Sequence, residues 1–165
     1  MKMKWLFLFK ISVVVFLLAL ISCDKKRVFE KNNDFSGKVW YIDSLQVFKF
    51  KVEEIGKPYN LLVNVRNSEN YPYYNLFIRY YLQDSSGQEI KSQQTELILM
   101  EPNTGKPLGD GLGDIFSHKF EILKNFSFPK KGTYIFKLKQ YMRQDPLPEI
   151  YSIGFRLEDV SKNKN

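Results

Sequence analysis

FPKKGTYIFKLKQY, residues 128 to 141, carries the pattern that decides the fold. From Thr133 the apolar and charged residues alternate: Tyr134, Phe136 and Leu138 fall on one side, Lys137 and Lys139 on the other. A period of two is what a half-buried β-strand requires, because successive side chains point to opposite faces. The run begins after Pro129-Lys130-Lys131-Gly132, a turn composition. A turn glycine followed two residues later by Tyr at a strand start is the pattern of a tyrosine corner in Greek-key sandwiches.

The same alternation repeats outward in both directions. Gln46–Val52 sets Phe48, Phe50 and Val52 against Lys49 and Lys51. Tyr59–Arg66 aligns Tyr59, Leu61, Val63 and Val65, and Tyr74–Leu82 aligns Tyr74, Leu76, Ile78, Tyr80 and Leu82. Glu149–Asp159 places Tyr151, Ile153, Phe155 and Leu157 together, with Arg156 and Glu158 opposite. Gln93–Met100 is weaker, and Val39–Ile42 and Phe116–Ile122 are shorter candidates. Gly56-Lys57-Pro58, Asn67–Asn70 and Asp84-Ser85-Ser86-Gly87 supply turns between them. No segment after Ser22 sustains a helical period over three turns. The expectation is an all-β, two-sheet β-sandwich of about eight strands, Ig-like or jelly-roll-like, over residues 35–160. The 14 Phe and 10 Tyr are expected chiefly in its core.

The N-terminus reads differently. Lys2, Lys4 and Lys10 form a basic region, and Ile11–Ile21 is an apolar run interrupted only by Ser12. Such a run falls short of the roughly 20 residues a bilayer span needs and suits the helix of a secretory signal. It leads into Leu20-Ile21-Ser22-Cys23, and Cys23 is the only cysteine of the chain. Leu, a tolerant position, a small residue and then Cys is the lipoprotein processing pattern of bacteria. There the thiol takes a diacylglycerol and the chain is cut before it. An ordinary secretory signal and an uncleaved anchor from Trp5 to Ser22 are the competing readings. The expected organisation is a lipoprotein signal peptide at 1–22, a lipidated tether at 23–34, the sandwich, and a disordered tail at 161–165. A thiol spent on lipid fits an exported protein without disulfides.

Charge excludes some partners. Three of the 25 cations precede Cys23 and none of the 18 acids does, leaving 22 against 18 and a net +4 for the remainder. That surplus is spread thinly, which argues against nucleic-acid binding. His118 is the lone histidine, flanked by Ser117 and Lys119 in a predicted strand. No G-x-S-x-G elbow accompanies it, and one imidazole cannot make a zinc site. A partly exposed structural role is expected for it. EPNTGKPLGDGLGDIF, residues 101 to 116, has no P-loop spacing. Glu101, Asp110 and Asp114 offer oxygens to calcium without matching a known calcium-loop spacing. No metal, cofactor, small-molecule substrate or catalytic residue is expected.

Partner surfaces are the remaining candidates. YPYYNLFIRYYL, residues 71 to 82, is the densest aromatic run. Its outward face would carry Tyr73, Asn75, Phe77, Arg79 and Tyr81, able to bury against a protein or stack on sugar rings. Tyr73, Phe77, Tyr81, Asp110, Asp114 and Arg143 are the candidate contact residues.

These stretches, taken in order, resemble the gliding motility lipoprotein GldH family of the Bacteroidota. The likeness lies in the pattern before Cys23, VFEKNNDF (28–35), Trp40, YNLLVNVRN (59–67), YPYYNLFI (71–78), LGDGLGDIF (108–116), FPKKGTYIFKLKQYMRQDPLPEI (128–150) and IGFRLE (153–158). Pro148 stands where glycine is expected. The resemblance implies an envelope lipoprotein needed for gliding, tied to the type IX secretion apparatus that exports surface adhesins. It brings no catalytic residues. The expected location is a membrane reached through lipidated Cys23, facing the periplasm, in the outer membrane. A glycan-binding envelope lipoprotein is the alternative.

Overall fold

A computed structural model describes residues 24 to 163. The expected signal peptide at 1–22 and Cys23 lie outside those residues. Among the described residues there are eleven strands: β1 (Arg27–Asp34), β2 (Val39–Trp40), β3 (Gln46–Val52), β4 (Tyr59–Ser68), β5 (Asn75–Asp84), β6 (Glu89–Ile98), β7 (Asp110–Leu112), β8 (Ile115–Phe126), β9 (Gly132–Gln140), β10 (Leu147–Pro148) and β11 (Ile150–Asp159). One sheet runs β1-β11-β4-β8-β7, a second runs β3-β9-β5-β6, and β10 pairs with β2 in a small ribbon. All-β is therefore the class.

The pairing has a simple logic. β5 pairs with β6, β4 with β8, β3 with β9 and β1 with β11, all antiparallel. These are nested pairs, as if one long hairpin with its tip at Asp84–Gln88 had been folded over on itself. The added pairs β11·β4 and β5·β9 then close each sheet. Numbering the eight long strands in sequence gives sheets 1-8-3-6 and 2-7-4-5, the order of a jelly roll rather than of an immunoglobulin domain. The hairpin tip is fixed by Asp84, whose Oδ1 accepts from the Ser86 and Gln88 backbone N–H groups at 2.9 and 3.0 Å.

The core is aromatic and lies between the two sheets. Phe155 on β11 stacks on Phe136 of β9 at 4.3 Å between ring centroids and meets Phe48 and Phe50 of β3 at 6.1 and 5.0 Å. Trp40 is fully buried, stacks on Phe35 at 5.4 Å and donates its indole N–H to the Ser44 carbonyl at 2.9 Å. The tyrosine corner is present: the Tyr134 hydroxyl donates to the Lys130 carbonyl at 2.7 Å. That bond lets a phenol enter the core without leaving a buried O–H unpaired.

Two boundaries differ from expectation. Residues 27–34 are not a tether but β1, an edge strand paired with β11 from Arg27↔Glu158 to Asp34↔Ser152. Its inner face needs only Phe29, which packs on Phe50 and Phe155 at 6.0 and 5.9 Å. Lys31 and Asn33 share that side at the rim, where Asn33 donates to Gln46 Oε1 at 3.0 Å. One half-buried aromatic in eight residues does not produce an alternating pattern. Residues 161–163 are likewise ordered: Val160–Asn163 forms a 3-10 turn held by Asp159 accepting from the Ser161 N–H at 2.9 Å.

Candidate functional surface

Sheet alternation and register distribute the six candidate contact residues over separate patches. On the outer face of the four-stranded sheet, Phe77, Arg79 and Tyr81 stand in a row on β5, opposite Lys139 and Lys137 of β9. Arg79 lies over the Tyr81 ring at 5.5 Å. The stripe is half-buried rather than open, and Asn75 at its start is buried with its amide on Glu96 at 2.5 Å.

The segment after β9 is the reason. It folds back over the start of β5: the Tyr141 N–H donates to the Phe77 carbonyl at 2.8 Å, and the Phe77 N–H meets Met142 Sδ at 3.2 Å. Gln140, fully buried, accepts from the Met142 N–H at 2.8 Å, and Gln144 Oε1 accepts from the Tyr73 hydroxyl at 2.7 Å. The result is a hollow of about 410 Å³ lined by Tyr73, Phe77, Gln94, Tyr141, Met142 and Arg143. Three expected residues, Tyr73, Phe77 and Arg143, meet in it. Sequence reasoning missed Tyr141 and Met142. Tyr141 directly follows buried Gln140 and continues the outward parity of Lys137 and Lys139, which leaves it 47% exposed.

Tyr81 belongs to a second hollow of about 360 Å³ with Ile42, Leu45, Lys137 and Lys139. Asp110 lies on the other sheet, in a cleft of about 170 Å³ with Glu30, Asn64 and Lys119. Asp114 sits in the β7–β8 turn, where its carbonyl accepts from the Glu69 N–H at 2.9 Å. Among the described residues no three His, Cys, Asp or Glu side chains gather to hold a metal ion. The glycine-rich stretch 101–116 ends in a hairpin added to the sheet edge, where β7 pairs with the start of β8 and Leu112 beside the tip is 86% exposed. Gly109 is required there, because a Cβ would lie 2.6 Å from the Ser117 carbonyl and 2.8 Å from the His118 ring.

His118 is buried, not partly exposed. It shares the inner face with Val65, stacks on Phe120 at 5.7 Å, and leaves Nε2 without a partner. Burial pushes its pKa down, against a smaller upward pull from Asp110.

A feature with no strong sequence signal is Arg156, 4% exposed on the outer face of β11. Its guanidinium meets Glu30 at 2.7 Å, Glu158 at 2.6 Å and the Asp24 carboxylate. Despite desolvation, these hydrogen bonds hold its pKa above the usual guanidinium value. Asp24 is held below the ordinary carboxylate range, first by its hydrogen bond to Arg156. Glu30 is also lowered: desolvation raises its pKa, but the bonds from Asn64 and Arg156 outweigh it.

The pattern of the GldH lipoprotein family matches residues 27 to 157, from the first residue of β1 almost to the end of β11. The chain belongs to that family. It is 35% identical over 148 residues to the gliding motility lipoprotein GldH of Flavobacterium johnsoniae, covering 86% of this chain and 90% of that one. It is 34% identical over 157 residues to the gliding motility lipoprotein GldH homolog of Christiangramia forsetii, covering 89% and 94%. Among solved structures, the VP2 subviral particle of infectious bursal disease virus superposes with a TM-score of 0.40 at 10% identity, over 85% of this chain and 34% of that one. A score that low does not establish a shared fold.

Proposed function

We propose that this GldH-family protein is a lipid-anchored, non-enzymatic component of the cell envelope that serves gliding motility by docking another protein of the gliding and type IX secretion machinery. Lipid on Cys23 would hold it at the outer membrane, facing the periplasm. The relatives named for gliding motility support the biological role. The hollow of Tyr73, Phe77, Tyr141, Met142 and Arg143 supports the docking role. Aromatic rings, an adaptable thioether and a guanidinium around one concavity are the composition of a protein-binding hot spot. The occupant that fits is a protein segment offering an apolar side chain to the rings and a carboxylate to Arg143.

The experiment replaces the chromosomal copy with Phe77→Ala/Arg143→Ala and scores colony spreading and adhesin export against wild type. Loss of both at normal protein level is expected, because hot-spot truncations each cost about 2 kcal/mol or more of binding. Wild-type spreading and export would overturn the docking role. A glycan array separates the alternative: retention on polysaccharide lost on Tyr73→Ala would favour sugar stacking, and no retention is expected.

A further inference from the structure

The first described residue, Asp24, is one position after Cys23 and is fastened to the domain. Its side chain pairs with the guanidinium of Arg156, itself held by Glu30 and Glu158. The backbone is tied as well. The Asp24 carbonyl accepts from the Arg27 N–H at 3.3 Å, and the Lys26 carbonyl from the Asp159 N–H at 2.9 Å. One residue step is about 3.8 Å. A lipid on Cys23 would therefore enter the bilayer within a few ångströms of a residue bound to the folded sheet.

The same end of the molecule has an uneven charge. Register places Arg27 beside Glu158, Asp159 beside Tyr59 and Tyr59 beside Phe126, so 24–27, 57–60, 121–126 and 157–162 share it. The acids there are occupied. Arg156 takes Asp24, Glu30 and Glu158, Lys57 takes Glu54 and Asp159, and Glu121 accepts from the Asn60 amide. Lys25, Lys26, Lys124 and Lys162 are exposed and enter none of the ion pairs among the described residues.

Resting on the reading that Cys23 carries the lipid, we infer that this end of the sandwich is a membrane-docking surface. The Asp24–Arg156 pair seats it flat on anionic phospholipid headgroups instead of letting the domain swing on a tether. The four lysines supply the attraction to the headgroup phosphates. The opposite end, with Ser68 and Ile115, then stands one strand length away, nine residue steps or about 30 Å along β4. Basic side chains face lipid and the hollow of Tyr73 and Phe77 remains on a side wall.

The test uses the full-length protein extracted from envelopes and placed in phosphatidylcholine vesicles containing phosphatidylglycerol and a headgroup-nitroxide lipid. A fluorophore is attached through Val28→Cys at the seated end or Asn70→Cys at the far end, Cys23 being consumed by lipid. Several-fold stronger quenching at position 28 than at 70 is expected. That contrast should fall toward equality in Asp24→Ala. This variant leaves Arg156 its bonds to Glu30 and Glu158 and keeps the fold, which an Arg156 substitution risks. Equal quenching at both positions, or an unchanged contrast in Asp24→Ala, overturns the inference. Intact mass on the same sample separates the two ideas. A protein without acyl chains overturns the anchor and this surface together. An acylated protein with equal quenching overturns the surface alone.

Discussion

His118 ties one residue to a measurable pH dependence. Its imidazole is buried against Phe120 with Nε2 unpartnered, and burial lowers its pKa below the ordinary 6.5. The folded state therefore disfavours the imidazolium, and the unfolded chain binds the proton more readily. Stability is complete above the unfolded value near 6.5 and is lost as pH falls below it. Glu30 and Asp159, also lowered, add losses only at more acid pH, below their ordinary values of 4.5 and 3.8. Urea midpoints from pH 7.5 down to 3 should fall in two phases, and His118→Asn should remove the upper one. A midpoint unchanged between pH 7 and 5.5 in the wild type would contradict this. That Phe77 and Tyr81 lie on the outer side of β5 is legible in the sequence, because they alternate with Leu76, Ile78, Tyr80 and Leu82, which are buried. Arg156 was not legible. An arginine at an outward strand position looks the same in sequence whether it meets water or three carboxylates from segments as far as 132 residues away.

At the scale of elements, seven of the eight long strands are readable, and β3, β4, β5, β9 and β11 most clearly, because each of those five places a full side in the core. β3 begins and ends where its alternation does. β1 escaped notice because an edge strand with one inward aromatic carries almost no period. β6 starts several residues before the expected 93, since EIKSQQTELI is mostly solvent-facing and its start is set by the hairpin tip rather than by hydrophobicity. The tyrosine corner was read from Gly132-Thr133-Tyr134 and is made by the bond from Tyr134 to the Lys130 carbonyl. Tyr134→Phe keeps the ring among Phe50 and Phe128 but strands that carbonyl. A loss of about 1–2 kcal/mol in chemical denaturation is expected. No loss would mean that the bond does not contribute to the turn.

For the whole molecule, the nested hairpin order was not derivable from local patterns. Alternation fixes which face of a strand is inward but not which strand lies beside it. The sequence left Ig-like and jelly-roll arrangements open, and the pairing of β1 with β11 and β3 with β9 decides for the jelly roll. That pairing also brings the chain's first described residue to its last long strand, which is why the anchor point and Arg156 meet. The six candidate contacts dispersed for the same reason: residues adjacent in function by sequence guess lie on two different sheets.

Placement of the domain at a membrane depends on the chemistry at the single cysteine. Intact-mass spectrometry of the protein purified from envelopes of the native host tests it directly. The predicted species begins at Cys23 and carries a thioether-linked diacylglycerol. A species that retains Met1, or that bears an unmodified Cys23 thiol, would contradict it.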